Sequence, residues 1–461
     1  MPQKKLYIFL LITNLCLIAD LNACPKVNEY MAMRPPDLAE RIWVASRIYA
    51  EVKYKFAHFE VLGQEFNFNE IYKDYIKELA SVNTRFDFDK ITAKLFARLH
   101  NGHTRFYDEL ASCNPNLPIK ADFIQGKWII THSKVSLISI GSEIISLDNI
   151  NFSDWADQQI KFIADSSIKS QRRLLTSNGY GAWLWPQKFN LGIRQPKKTI
   201  RKVDINRNIY LNETNNKEIS NERYEPLPGI NVQQINSQIV RISVSGFDQP
   251  ENELKLIKEI NNNEKYPAIL LDLRETEGGA MSIKLASMLA EQPFRDSISL
   301  TPQHIALNDL YQETGERNLM LFPNTWMRFG NEIVRPNPIY HGKLFILTNG
   351  GCVSACESFI LMMKSAKRAV ILGSPTWGIY GNKYQVKFDS LGINFSVSSE
   401  IIFSPDGSPV EGIGIKPDIA IPISQSELLS GKDQVLQATI SYIQKDIKGI
   451  LHAPLSPALL I

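Results

Sequence analysis

The chain has 461 residues, more than one hydrophobic core usually organises, so two or three domains are expected. Apolar residues make up 44% and charged residues 21%, the balance of a folded globular protein, and at a formal net charge of +3 no basic run stands out. That balance argues against nucleic acid and against an anionic membrane surface as partners.

Lys4 and Lys5 precede an apolar run from Leu6 to Ala19, and Asp20-Leu21-Asn22-Ala23-Cys24 follows. A basic start, a short apolar stretch and a small residue at Ala23 predict a signal peptide over 1–23, too short and too poorly flanked for a transmembrane span. Leu21-Asn22-Ala23-Cys24 also resembles a bacterial lipobox, whose cysteine becomes the lipidated mature N-terminus, although Asn22 is an uncommon residue there. The expectation is an exported protein, periplasmic, in the cell envelope or secreted, with membrane attachment only through lipidation of Cys24.

From 24 to 113 the pattern is helical. "RIWVASRIYAEVKYKF" and "ITAKLFARLH" carry apolar residues at three- and four-residue spacing, and Pro35-Pro36-Asp37 marks a start signal. From 114 to 195 short β runs dominate, "KWIITHS", "SLISIG" and "SEIISLDNINF", before the helical "WADQQIKFIA". Gly141 to Asn149 resembles the PDZ pattern of a glycine and an acidic residue leading into a strand, with Asn149 where that pattern has glycine and no recognisable carboxylate-binding loop. Tyr180, Trp183 and Trp185 fit either a binding surface or packing between domains. Polar, asparagine-rich 196–232 is expected to be a linker or surface hairpin.

Residues 233–445 alternate strand and helix: "SQIVRISVSGF", "ENELKLIKEINN", "YPAILLDLR", "GGAMSIKLASMLAEQ", "KLFILTN", "SACESFILMMKSA" and "RAVILGSP". That alternation predicts an α/β layer with right-handed crossovers, leaving 446–461 as a tail. Of the five cysteines, Cys16 would leave with the signal. Cys24, Cys113, Cys352 and Cys356 form no disulfide framework, and no histidine cluster makes a zinc site with them. Cys352 and Cys356, one helical turn apart, are expected to be small buried residues packing a helix N-terminus.

Two turns carry the chemistry. "LLDLRETEGGAMS" and "LTNGGCVSACESF" each end a strand and open a helix, the first with Gly278 and Gly279, the second with Ser354. Free amides at a helix N-terminus stabilise an oxyanion, and glycines let backbone approach a substrate. On the local pattern alone Ser354 reads as a helix N-cap, with Glu357 three residues on completing a capping box. Two such turns facing one cavity would supply a nucleophile and amide donors for acyl transfer.

Five segments in order resemble the S41 serine peptidases, the family of the carboxy-terminal processing proteases, the tricorn core protease and the interphotoreceptor retinoid-binding repeats. They are "FARLHNGHT" (96–104), "YPAILLDLRETEGG", "SACES", "AVILGSPTWG" and "SPDGSPVEGIGIKPDI", and the resemblance around them extends from roughly Leu38 to Ile419. The resemblance implies a crotonase-like α/β core with an N-terminal helical domain and a PDZ-like β insert. It implies an exported serine peptidase acting on peptides or unfolded proteins without metal or organic cofactor. Ser354 would be the nucleophile and the amides of Gly279 and Ala355 the oxyanion donors.

The processing proteases use a Ser-Lys dyad, but Ile379 stands at the lysine's position and cannot accept a proton. The tricorn-like branch uses histidine and glutamate, matched here by His103 and Glu411. Histidine suits the task because its ordinary pKa is near neutrality. Tricorn also has a serine just before its histidine, where this chain has Gly102. Lys383 and His100 are alternative bases, and Cys356 a weaker alternative nucleophile. Asp272 and Arg274 would shape the oxyanion turn. The rival expectation is a catalytically inactive ligand- or peptide-binding protein on the same fold.

Overall fold

The computed structural model describes residues 27–450, apart from 60, 64, 114–115, 178, 197–198, 211–228, 248–249, 280–282, 304–324, 423–424 and 431. The expectations for 1–23 and Cys24, and for 451–461 of the tail, lie outside the described residues.

The α/β layer is a six-stranded sheet. Its spatial order is Ile419–Ala420, Ala369–Gly373, Lys343–Thr348, Ala268–Asp272, Ile239–Val244 and Ile230–Gln234, the reverse of chain order. All neighbours are parallel except the antiparallel edge strand Ile230–Gln234. Period-two alternation splits each central strand between two cores. Val240, Ile242, Ile269, Leu271 and Ile346 pack under helices Pro250–Asn262, Ile283–Leu289 and Ala355–Ser365. Ile239, Ala268, Leu270, Phe345 and Leu347 pack against Val435 and Ile443 of helix Gln434–Ile447 on the other face. Connections of this kind put the strand ends Asp272 and Thr348 side by side, and with them the two glycine-bearing turns.

The β insert is an antiparallel sheet of Ile119–Ile124, Lys127–Ser133, Glu143–Leu147, Lys188–Arg194 and Ile200–Asn206 in that order, with Ile150–Asn151 paired to Glu143–Leu147. Helices Phe152–Gln159 and Ile168–Leu175 pack on it. "SLISIG" is a turn rather than a strand: Val135 and Ile138 are buried there without ladder pairing. Within 196–232, Ile200–Asn206 closes a hairpin with Lys188–Arg194, Ile230–Gln234 edges the core sheet, and 211–228 lie outside the described residues. Trp185 is buried against Trp155 and Phe152, Trp183 meets Phe86, and Tyr180 meets Arg105, so this aromatic group packs segments together.

Helices Leu38–Lys55, Phe68–Ala80 and Arg85–Ala97 form the N-terminal layer, the first opened by a capping box between Asp37 and Glu40. Their apolar faces close on strands Lys383–Phe388 and Ile393–Ser398, sharing one core with Val386, Phe388, Phe395 and Val397. Strand Arg105–Asp108 pairs antiparallel with Ile393–Ser398. This pairing fixes the "NGHT" loop, which runs directly into Arg105, against a strand distant in sequence. The molecule has the crotonase-like α/β core, helical layer and PDZ-like β insert that the resemblance implies.

Candidate active site

Ser354 sits at the N-cap of helix Ala355–Ser365 with φ 57° and ψ −112°. An ordinary N-cap has extended backbone, so capping does not account for this left-handed conformation, which costs a non-glycine residue of order 1–3 kcal/mol. The turn holding it is stitched on every side. Ser354 N–H donates to the Ile379 carbonyl at 3.0 Å, Val353 N–H to Thr276 O at 3.3 Å, and Trp377 N–H to Cys352 O at 3.0 Å.

Glu357 is the buried anchor of this turn. Its carboxylate accepts from the Ser354 amide at 3.1 Å, the glutamate half of a capping box. It also accepts from Thr376 Oγ1 at 2.6 Å, Gly378 N at 2.7 Å and Ile379 N at 3.1 Å. Burial lifts its pKa to about 7 against these donors. Cys352 and Cys356, expected as unpaired packing residues, form a disulfide around Ser354 with Cα atoms 5.5 Å apart, since one helical turn brings them within bridging range. Cys356 is therefore no thiol nucleophile, and Cys113 is disulfide-bonded as well.

The glycine turn lies directly on the serine. A Cβ at Gly278 would stand 2.8 Å from Ser354 Cβ and 3.3 Å from its Oγ, so only glycine fits. "EGG" is not the start of a helix: Glu277–Gly279 pairs as a short strand with Gly246–Phe247, and the helix starts at Ile283. Gly279 is exposed with φ 131°, and the Ala355 amide is the helix's first, with no intrahelical acceptor. Asp272 is fully buried and binds Arg241 and Arg274, while Arg274 reaches Asp433, so the turn's base is a locked charge network.

The His103 loop is fixed through backbone. Asn101 Oδ1 accepts from His103 N–H and from the Thr104 hydroxyl, each at 2.9 Å, and Ser396 Oγ donates to the His103 carbonyl at 2.6 Å. The imidazole makes no hydrogen bond to Ser354 or Glu411, and its buried Nδ1 has no partner. Burial, reinforced by Arg105, Lys383 and His58, pushes its pKa down to about 3, so the ring is neutral at working pH. Lys383 itself is exposed at the start of its strand and acts on His103 as a nearby positive charge. His100, with φ 46°, is also exposed.

Glu411 meets the loop through intermediaries. Its Oε1 accepts from Asn101 Nδ2 at 2.9 Å and from the Ser166 hydroxyl, and its Oε2 from Tyr380 N–H at 3.5 Å. Burial, with the charges of Asp165 and Glu357, lifts its pKa to about 8 despite those donors. Glu411 thus reaches the His103 loop through an Asn101 bridge to its backbone.

The structure brings Ser354, His103, Glu411, Gly278, Gly279 and Ala355 to neighbouring loops. Asn101 lies within "FARLHNGHT", where its role as the bridge shows only in three dimensions. Glu357 accepts from the Ser354 amide as its capping-box spacing implies, whereas its bonds from Thr376, Gly378 and Ile379, and all those of Ser166, depend on contacts no local pattern encodes. Among the described residues no group of three or more His, Cys, Asp or Glu side chains is placed to hold a metal, and no helix is long and apolar enough to cross a membrane.

Residues 238–421 match the family model described as Peptidase family S41. A carboxy-terminal-processing protease of Bartonella bacilliformis is 23% identical over 215 residues, 46% of this chain and 44% of the relative. A protein of Chlamydia trachomatis is 29% identical over 104 residues, 22% of this chain and 17% of the relative. The chain spans less than half the length of these curated relatives. The crystal structure of mature CPAF superposes with a TM-score of 0.67 at 14% identity, covering 90% of this chain and 99% of that one. CPAF complexed with lactacystin gives 0.65 at 14%, covering 89% and 99%.

Proposed function

We propose that this chain, whose residues 238–421 belong to peptidase family S41, is a serine peptidase that cleaves peptides or unfolded proteins through an acyl-enzyme on Ser354. The observation that carries the reading is the contact of the glycine turn with a serine held at positive φ on a helix N-terminus. Neither capping nor packing requires that geometry; a nucleophile held beside amide donors does.

In the reaction, Ser354 Oγ bonds to the scissile carbonyl carbon as neutral His103 takes its proton. The amides of Gly279 and Ala355 receive the oxyanion. The carbon–nitrogen bond then breaks, and the imidazolium returns the proton to the leaving amine. Water, deprotonated by His103, releases the acyl group and restores the serine. Glu411 acts as a carboxylate that fixes the His103 loop through Asn101. Substrate binding brings His103 and Ser354 into hydrogen-bond reach, as catalytic hydrogen bonds often tighten only in the complex. Export by the signal peptide, with lipidation at Cys24 as its variant, belongs to the same proposal.

A fluorophosphonate probe tests it. The expected result is an adduct on Ser354, located by peptide mass, that His103→Ala reduces by about 10²-fold or more. The partnerless Nδ1 of His103 favours the second reading, a binding protein on a peptidase fold. Folded protein that never forms an adduct would select that reading. An adduct that survives His103→Ala would move the base to Lys383.

A further inference from the structure

The loop between helices Phe152–Gln159 and Ile168–Leu175 of the β insert ends in Asp165-Ser166, and this pair reaches three loops of the candidate site. Ser166 Oγ accepts from the Gly102 N–H at 3.2 Å and donates to Glu411 Oε1. Asn101 Nδ2 donates to the same oxygen. Beside it, buried Asp165 pairs with Arg105 at 3.0 Å and accepts from Trp377 Nε1 at 3.2 Å. Gly412, next to Glu411, packs on Ser166, since a Cβ there would stand 3.1 Å from the Ser166 carbonyl oxygen.

Gly102 occupies the place where a tricorn-like site would present a serine hydroxyl to the glutamate. A side chain there would displace Ile379, because a Cβ would stand 2.3 Å from Ile379 Cδ1. We infer that Ser166 is a positioning residue: it supplies from the β insert the hydroxyl that Gly102 lacks, and ties Glu411 to the His103 loop. This rests on the serine-peptidase reading above. The insert thereby contributes to the catalytic geometry as well as to any substrate docking, and displacing it would release the His103 loop and Glu411 together.

The pH dependence follows from the groups around Glu411. Ser166 and Asp165 face it from the insert, Asn101 from the His103 loop, the Tyr380 amide from the loop after Gly378, and Glu357 from the nucleophile helix. Burial raises its pKa first and foremost, and the Ser166 hydrogen bond opposes that rise. Removing the hydroxyl raises the pKa further, so the carboxylate needed for positioning forms only at higher pH.

The experiment follows fluorophosphonate labelling of Ser354 against pH in the full chain, for wild type, Ser166→Ala and the equal-shaped pair Ser166→Thr and Ser166→Val. The expected result is labelling slowed roughly 10- to 100-fold in Ser166→Ala and Ser166→Val, the effect of one hydrogen bond to a charged group, with the acid limb moved to higher pH. Ser166→Thr, which keeps the hydroxyl, should recover most of the rate. In a Glu411→Gln background, Ser166→Ala should cost little more, because both act through one contact. Equal rates in the Thr and Val variants, or an unmoved acid limb, would overturn the role of Ser166 while leaving Ser354 chemistry intact. Wild-type protein that never labels would overturn both readings at once.

Discussion

Gly102 departs from the tricorn-like pattern and Ile379 from that of the processing proteases, and the structure packs the two against each other. Ile379 is buried at 3% exposure, its side chain fills the space over Gly102, and its carbonyl holds the Ser354 amide. A serine restored at 102 would meet that side chain, so the two positions must change as a pair. Gly102→Ser should destabilise the protein and slow Ser354 labelling by tenfold or more, an overpacking cost of about 1–3 kcal/mol. Ile379→Ala alone should cost about 2–5 kcal/mol through its cavity. The double variant should be markedly less damaged than the sum of the two, because each substitution makes room for the other. Thermal unfolding and labelling rates of all four proteins form the cycle, and strict additivity would refute the coupling.

At the scale of elements, the site is two strand-to-helix turns, and each has its own fastening. The first is fastened by Asp272 and its arginines, the second by Glu357 and the Cys352–Cys356 disulfide. A bridge spanning a sequence separation of 4 closes a very short loop, worth about 2 kcal/mol in chain entropy. Its larger effect is local, since it brackets Ser354. Reduction, or Cys352→Ser with Cys356→Ser, should therefore slow labelling several-fold while shifting the unfolding midpoint by only a few degrees. Unchanged labelling after confirmed reduction would show that Glu357 alone holds the turn. The alternation of strand and helix was legible in sequence, because buried parallel strands read as continuous apolar runs. The turn carrying Ser354 was legible from its glycines. The disulfide was not: a pair four residues apart at a helix start reads equally as packing. The short strand at Gly278 was missed because a double glycine before a helical pattern looks like a helix start, and pairing with Gly246–Phe247 overrides it. Ser166 carries no local signal at all, as its partner Glu411 lies 245 positions away.

Across the whole molecule, three layers converge on two carboxyl groups, Glu357 fully buried and Glu411 partly so, and folding and the proposed catalysis want opposite charge states of them. Glu357 and Glu411 have folded pKa values raised from 4.5 to about 7 and about 8, chiefly by burial. A carboxyl whose folded pKa is raised contributes stability that is fully present below its unfolded value and is lost as pH rises through the folded one. The stability loss should therefore run from about pH 5 to above pH 8. Glu275 and Asp433 work in the other direction. The Arg173 ion pair and the Asn349 hydrogen bond hold Glu275 low against its burial, and Arg274 does the same for Asp433, so both lose stability only as pH falls into the acid range. His103 and His58, whose pKa values burial pushes down to about 3 and about 4, lose stability as pH falls below about 6.5 and so offset the carboxyl trend there. The unfolding midpoint should accordingly be nearly level from about pH 5 to 6.5 and decline by several degrees toward pH 8.5, at constant ionic strength. Glu411→Gln, which cannot ionise, should flatten much of that decline. Its labelling should lose the acid limb set by residue 411 and stay slow throughout. A midpoint that holds or rises from pH 6 to 8.5 would mean that both carboxyls ionise normally in the folded state. In that case the acid limb of labelling would have to come from His103, whose protonation would then lie far above the value that its burial and the neighbouring Arg105 and Lys383 impose.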